Sequence, residues 1–275
     1  MTRCCCAEFY SENAIRGWGC RYAKTRDLIE WGATRAARSG GRGASCLAPE
    51  RARALNHPQA PGLRGFQGNH PMAWPEEFEF KTKVLLQREP RDRTYLEWGS
   101  GGSTGFYPLL VTGTTDVIDN YPPWCAKVAK EPLVSCMIRE NRLNFSCIAP
   151  KTSSPLVRMG LAQNDEDNAI VKTSYLQAVV DLGTPHYDVA LIDGRFRLAC
   201  ALQLLVTRKV DPSSVVIIHD FWNRIVRPEE NYTMVLKYYD VLGGARSAAA
   251  LQPKPGSVDY TVLARDLASD RSYYF

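Results

Sequence analysis

Residues 95–105 read Tyr-Leu-Glu-Trp-Gly-Ser-Gly-Gly-Ser-Thr-Gly, a short strand running straight into a glycine-rich turn. Few arrangements accommodate that pattern. Glycine has no Cβ, and Gly99 and Gly101 are both free to take positive φ, so a ligand can lie against bare backbone there. A helix opening near Ser103 would add free N–H groups that favour a carboxylate or phosphate. A purely structural turn can have the same composition, so the flanking chain has to decide between the two.

From Pro75 onward, strands and helices alternate, which points to a parallel sheet covered by helices. The pattern predicts helices over 76–87, 106–111, 123–130, 168–182, 197–206 and 232–241. It predicts strands over 94–97, 115–119, 144–148, 187–192, 214–218 and 260–264, with 245–251 as a further strand. The run Val215-Val216-Ile217-Ile218 is unbroken, as expected for a strand buried on both faces. Pro108 fits only the opening turn of a helix.

Residues 1–75 differ from the rest. They carry 11 Lys/Arg against 5 Asp/Glu, whereas residues 76–275 carry 23 against 24. The excess positive charge therefore belongs to the N-terminal segment, and a nucleic-acid-binding surface is not expected on the folded body. Prolines and glycines between Pro58 and Pro71 break regular structure, so this segment reads as poorly ordered or loosely attached. No apolar run approaches 18 residues, so no membrane span is expected. Met1 to Cys6 lack the apolar core of a signal peptide, which suggests an intracellular, cytoplasmic protein. Arginines in the segment leave organellar targeting open, against which stand Glu8, Glu12, Asp27 and Glu30. The nine cysteines contain no C-x-x-C pair, and their odd number suggests reduced thiols.

Glu97 separates two classes of nucleotide ligand. In the dinucleotide fingerprint the third glycine follows the second by three positions, but here Thr104 stands there and Gly105 comes one step late. An acidic residue two positions before G-x-G resembles the first motif of class I S-adenosylmethionine (AdoMet) methyltransferases. Polar residues also close three later strands, as Ile118-Asp119-Asn120, Ile192-Asp193-Gly194-Arg195 and Ile218-His219-Asp220. In an open α/β sheet, ligands sit beyond such carboxyl ends. The Asp193-Gly194 pair resembles the fourth-strand motif of small-molecule O-methyltransferases, and His219-Asp220 the fifth.

The resemblance implies an α/β domain over 76–275: a doubly wound, mostly parallel seven-stranded sheet with helices on both faces, behind the 1–75 segment. It implies AdoMet as cofactor, held by Glu97, Gly99, Ser100, Gly101 and Ser103, with Asp119 on the ribose hydroxyls and Asp193 beside the reactive methyl. Asp193, His219 and Asp220 lie nearest the chemistry, with His219 able to deprotonate a hydroxyl. Magnesium between Asp193 and Asp220 is a further candidate, but Phe221 stands where metal-dependent members have an amide, so no metal ligand is assigned. Trp124 could pack on the cofactor or anchor its own helix. Arg195 and Arg197 either meet an acidic substrate or are solvated. The implied reaction is methyl transfer to a hydroxyl or carboxyl of a small molecule; the sequence names neither the acceptor nor an oligomeric state. Two other readings stand beside it: a catalytically inactive binding or scaffolding protein, and a nucleotide-dependent oxidoreductase, which Glu97 and the glycine spacing disfavour.

Overall fold

A computed structural model of the chain describes residues 75–86, 93–226, 232–256 and 258–269. The expectations for the basic segment, including Cys4 to Cys6, fall outside the described residues. Seven strands join in one sheet: β1 (Tyr95–Trp98), β2 (Thr115–Asp119), β3 (Asn144–Cys147), β4 (Val189–Ile192), β5 (Val215–Ile218), β6 (Tyr239–Ala245) and β7 (Ala248–Pro253). Their order is β3-β2-β1-β4-β5-β7-β6, parallel except for β7, which runs antiparallel to both β5 and β6. The strand order reverses between β1 and β4, the place where an open α/β sheet forms its ligand crevice.

Side-chain alternation explains how the sheet is covered. Leu96, Trp98, Ala190, Ile192, Val216 and Ile218 face α4 (Asp165–Asp181) and α5 (Arg197–Val206). The intervening Tyr95, Val189, Leu191, Val215 and Ile217 face α1 (Pro75–Leu86) and the turns after β1. Both faces are buried, so β4 and β5 read as unbroken apolar runs rather than alternating ones. On the outer side, Val117 meets α2 (Pro122–Ala129) and α3 (Pro132–Arg139).

The structure departs from the sequence-based expectation at several places. Residues 106–111 do not form a crossover helix; two 3₁₀ turns, Ser103–Gly105 and Tyr107–Leu110, take its place. Pro108 sits in the opening turn of the second segment, where no N–H is needed, and Val111 ends that segment in extended backbone. The expected helix over 232–241 is a 3₁₀ segment, Tyr232–Lys237, followed by β6, so a helical spacing was read into an edge strand. Residues 260–264 belong to a helix, α6 (Tyr260–Ser269), whose Leu263 is buried in the core. Asp266 on the same helix accepts hydrogen bonds from Lys237 and Tyr238.

Reduced thiols were expected, and here the structure corrects the sequence reading. Cys125 on α2 and Cys147 on β3 form a disulfide, whereas Cys200 is a buried, reduced thiol as expected. Bonds of this kind persist mainly in oxidising surroundings. The odd count was a weak guide, because it says nothing about which sulfurs the fold brings together. Among the described residues no helix is long and apolar enough to cross a membrane.

Candidate active site

The backbone ladder continues one residue past the central strands. Gly99 N–H donates to Ile118, Asp193 N–H to Trp98, and His219 N–H to Ile192. Gly99, Asp193 and His219 therefore stand in a row along the carboxyl edge of β1, β4 and β5. Two non-glycine residues in the loops that follow, Phe196 and Asp220, take left-handed backbone conformations. Such strain persists where surrounding structure holds it, often at a working site.

Gly99 has φ +93°, and a Cβ there would lie 2.4 Å from the Gly194 nitrogen. The turns after β1 and β4 thus touch backbone to backbone. Gly101 behaves differently: it does not use the freedom to adopt positive φ, and a Cβ on it would meet nothing within 4 Å. Gly99 closes the fold, and Gly101 borders open space. A Cβ on Gly194 would strike the Tyr175 hydroxyl rather than fill the crevice.

Glu97 is fully buried under the glycine turn. Its Oε1 accepts from Ser103 Oγ at 2.5 Å and Thr104 Oγ1 at 2.9 Å, and its Oε2 from the Tyr95 hydroxyl at 3.2 Å. Thr104 Oγ1 in turn accepts the Gly101 N–H. Ser103 and Thr104, which replace the glycines of the related motifs, are thus the hydroxyls that anchor the carboxylate to the turn. Burial pushes the Glu97 carboxyl up to about 7, against the pull of these three hydrogen bonds.

Asp119 ends β2 as expected but is occupied. Its Oδ2 accepts from the Ser100 N–H and Oγ, and its Oδ1 from the N–H groups of Asn120 and Tyr121. All four acceptor positions are filled, so a ribose would have to displace the Ser100 hydroxyl. Trp124 Nε1 donates to the Ser100 carbonyl at 2.7 Å, which gives that side chain an anchoring role.

At the other end of the row His219 lies between carboxylates. Its Nδ1 contacts Glu77 Oε1, and its Nε2 is 3.5 Å from Asp220 Oδ1 and 3.9 Å from Asp193 Oδ1. Glu77 comes from α1, is itself buried, and also pairs with Lys81 Nζ at 2.8 Å. Burial alone would raise the Glu77 carboxyl, but the His219 and Lys81 contacts outweigh it and hold the group low. An ionised Glu77 accepting from Nδ1–H would leave Nε2 as the nitrogen open to a proton. Sequence reasoning missed Glu77 and Lys81. Nothing local marks them, since their partner lies more than a hundred residues away in the chain.

Arg195 and Arg197 are buried rather than solvated. Burial lowers the Arg195 guanidinium to about 10. Arg197 bridges Asp193 and Asp220, with Nη2 at 3.3 Å from Asp193 Oδ1 and Nη1 at 3.0 Å from Asp220 Oδ2.

No protein-family model matches the chain, and none of the curated proteins does. Among solved structures it is similar to a methyltransferase-like protein from Silicibacter pomeroyi, at 19% identity and a TM-score of 0.51. That match covers 71% of this chain and 96% of the other. The chain has a methyltransferase-like fold. It is also similar to a methyltransferase from Podospora anserina bound to S-adenosylhomocysteine (SAH), at 12% identity and a TM-score of 0.44, over 86% of this chain and 99% of that one.

Within the methyltransferase-like fold, the crevice side of β1 suits AdoMet in two respects. Gly101 leaves space against the backbone, and Glu97 supplies a buried carboxylate beneath the same turn. The β4–β5 side suits a divalent metal poorly. Among the described residues no group of three or more His, Cys, Asp or Glu is placed to hold one.

Proposed function

We propose that the chain is an AdoMet-dependent methyltransferase acting on a hydroxyl or carboxyl of a small molecule. The observation that carries this reading is the Glu97–Ser103–Thr104 anchor, which leaves Gly101 facing open space on the same sheet edge as Asp193 and His219. In this reading Glu97, Ser100, Gly101 and Ser103 hold the cofactor, Gly99 positions their turn by packing on Gly194, and Asp119 shapes it through Ser100. The bound cofactor supplies an activated methyl group, so positioning the acceptor accounts for much of the rate. Asp193 borders that position, and Nε2 of His219 takes the acceptor's proton where the acceptor is a hydroxyl. A proton on Nε2 then lies beside Asp193 and Asp220. Because Glu77 orients His219, the working unit includes α1, which supports a domain boundary near residue 75.

The filled acceptor positions of Asp119 favour a second reading, a non-catalytic module on the same fold. Calorimetry of the full chain with SAH separates the two, since a micromolar heat of binding supports the enzyme and its absence supports the module. For the enzyme, Glu77→Gln should lower kcat about 10- to 100-fold, by loosening the base, and change SAH affinity less than about twofold. The pH–rate profile should shift along with kcat. Glu77→Gln/Lys81→Met, which leaves no buried lysine unpaired, serves as the folding control. An unchanged kcat and pH profile would remove Glu77 from the mechanism.

A further inference from the structure

Two carboxylates that end neighbouring parallel strands are an obvious seat for a hard cation, which needs several oxygens around one point. Here the space between them is taken. The Arg197 guanidinium spans Asp193 and Asp220 at 3.3 and 3.0 Å, its Nε donates to the Gly194 carbonyl at 3.0 Å, and its Nη1 donates to the His219 carbonyl. These contacts tie the turn after β4 to the turn after β5. The Arg197 side chain is 10% exposed, and the carboxylates around it hold its charge firmly in place. A divalent ion could enter only by expelling this cation and leaving it buried without partners, which is expensive. We propose that Arg197 is the resident cation of this site, standing between Asp193 and Asp220 in place of a divalent metal.

The geometry gives the substitution a consequence for the chemistry. A guanidinium neutralises the carboxylates and fixes the loop that carries His219, but it offers no open coordination position to an acceptor hydroxyl. Activation of the acceptor then falls to His219. The inference deepens the methyltransferase reading, yet the carboxylate pair can be tested without it.

Titration of the full-length chain with Mn²⁺, followed by the electron paramagnetic resonance of the free ion, reads the pair directly. The wild type should bind no Mn²⁺ that Asp193→Asn or Asp220→Asn removes. Arg197→Met keeps the apolar stem and frees both carboxylates, so it should bind Mn²⁺ at least ~10-fold more tightly than wild type. Adding Asp193→Asn to that variant should abolish the gain. Micromolar Mn²⁺ binding by wild type that either Asp→Asn change eliminates would overturn the proposal. So would a folded Arg197→Met variant, checked by circular dichroism, that gains nothing. If that variant does not fold, the wild-type titration still decides. SAH calorimetry with and without chelator is the separate arm: a heat that chelator leaves unchanged supports the proposal, and one that chelator removes overturns it. A missing SAH heat counts against the methyltransferase reading and leaves the Mn²⁺ result to stand.

Discussion

Changing Gly99 to alanine should destabilise the domain by about 4 kcal/mol, because two penalties add at one atom. The backbone sits at φ +93°, where a side chain is strained, and the new Cβ would lie 2.4–2.6 Å from the Asp193–Gly194 peptide. Left-handed strain and overpacking each cost on the order of 1–3 kcal/mol. Neither contact partner can move away cheaply, since both are main chain. Gly101→Val has the opposite profile. A Cβ there meets nothing within 4 Å, so urea midpoints should stay near wild type. Its branched side chain would instead occupy the space where the cofactor is proposed to lie, and SAH affinity should fall at least ~100-fold, or about 2.7 kcal/mol. Paired urea melts and calorimetry on the two variants separate the glycine that folds the turn from the one that serves the ligand. Wild-type SAH affinity in Gly101→Val would take the turn out of the site, and a wild-type melt in Gly99→Ala would refute the backbone contact.

That contrast between two glycines was not legible from the sequence, where both had the same warrant. What could be read was whatever leaves a local trace. The unbroken run at 215–218 and the polar residues that close β1, β2, β4 and β5 announce a buried parallel sheet with its ligands at one edge. The helix at 197–206 was placed to the residue. Residues whose role comes from distant partners left no trace. Glu77 matters because α1 packs beside His219, and Arg197, whose tie to Asp193 is local, because Asp220 reaches it from the end of the next strand. Cys125 and Cys147 are 22 residues apart and meet only because α2 folds back along β3. The misread 232–241 and 260–264 segments failed differently. Short apolar stretches satisfy more than one period, and packing against α5 and β7 decides which is used.

Glu97→Gln should make the protein more stable above neutral pH and less able to bind SAH. The carboxyl is buried and raised from 4.5 to about 7, so between those values the folded chain holds a proton that the unfolded chain has lost. Stability is therefore fully present below about pH 4.5 and falls as pH rises to 7, by about 3 kcal/mol for a shift of this size. Glutamine keeps the shape, can accept from Ser103 and Thr104, and can donate to Tyr95, yet it does not ionise. Urea melts from pH 4 to pH 8 should show the wild-type slope and a much flatter one in the variant. The ligand works in the other direction. An ammonium group of the cofactor near this carboxylate favours its charged form, so wild-type SAH affinity should weaken roughly 10-fold per unit as pH drops below 7. The variant, having no charge to offer, should bind weakly at every pH. Equal stability slopes in the two proteins would mean that Glu97 does not titrate in the folded state, and a pH-independent SAH affinity would detach it from the ligand. Together the two titrations ask whether the carboxylate that anchors the turn is kept at a cost to the fold because a positively charged ligand needs it there.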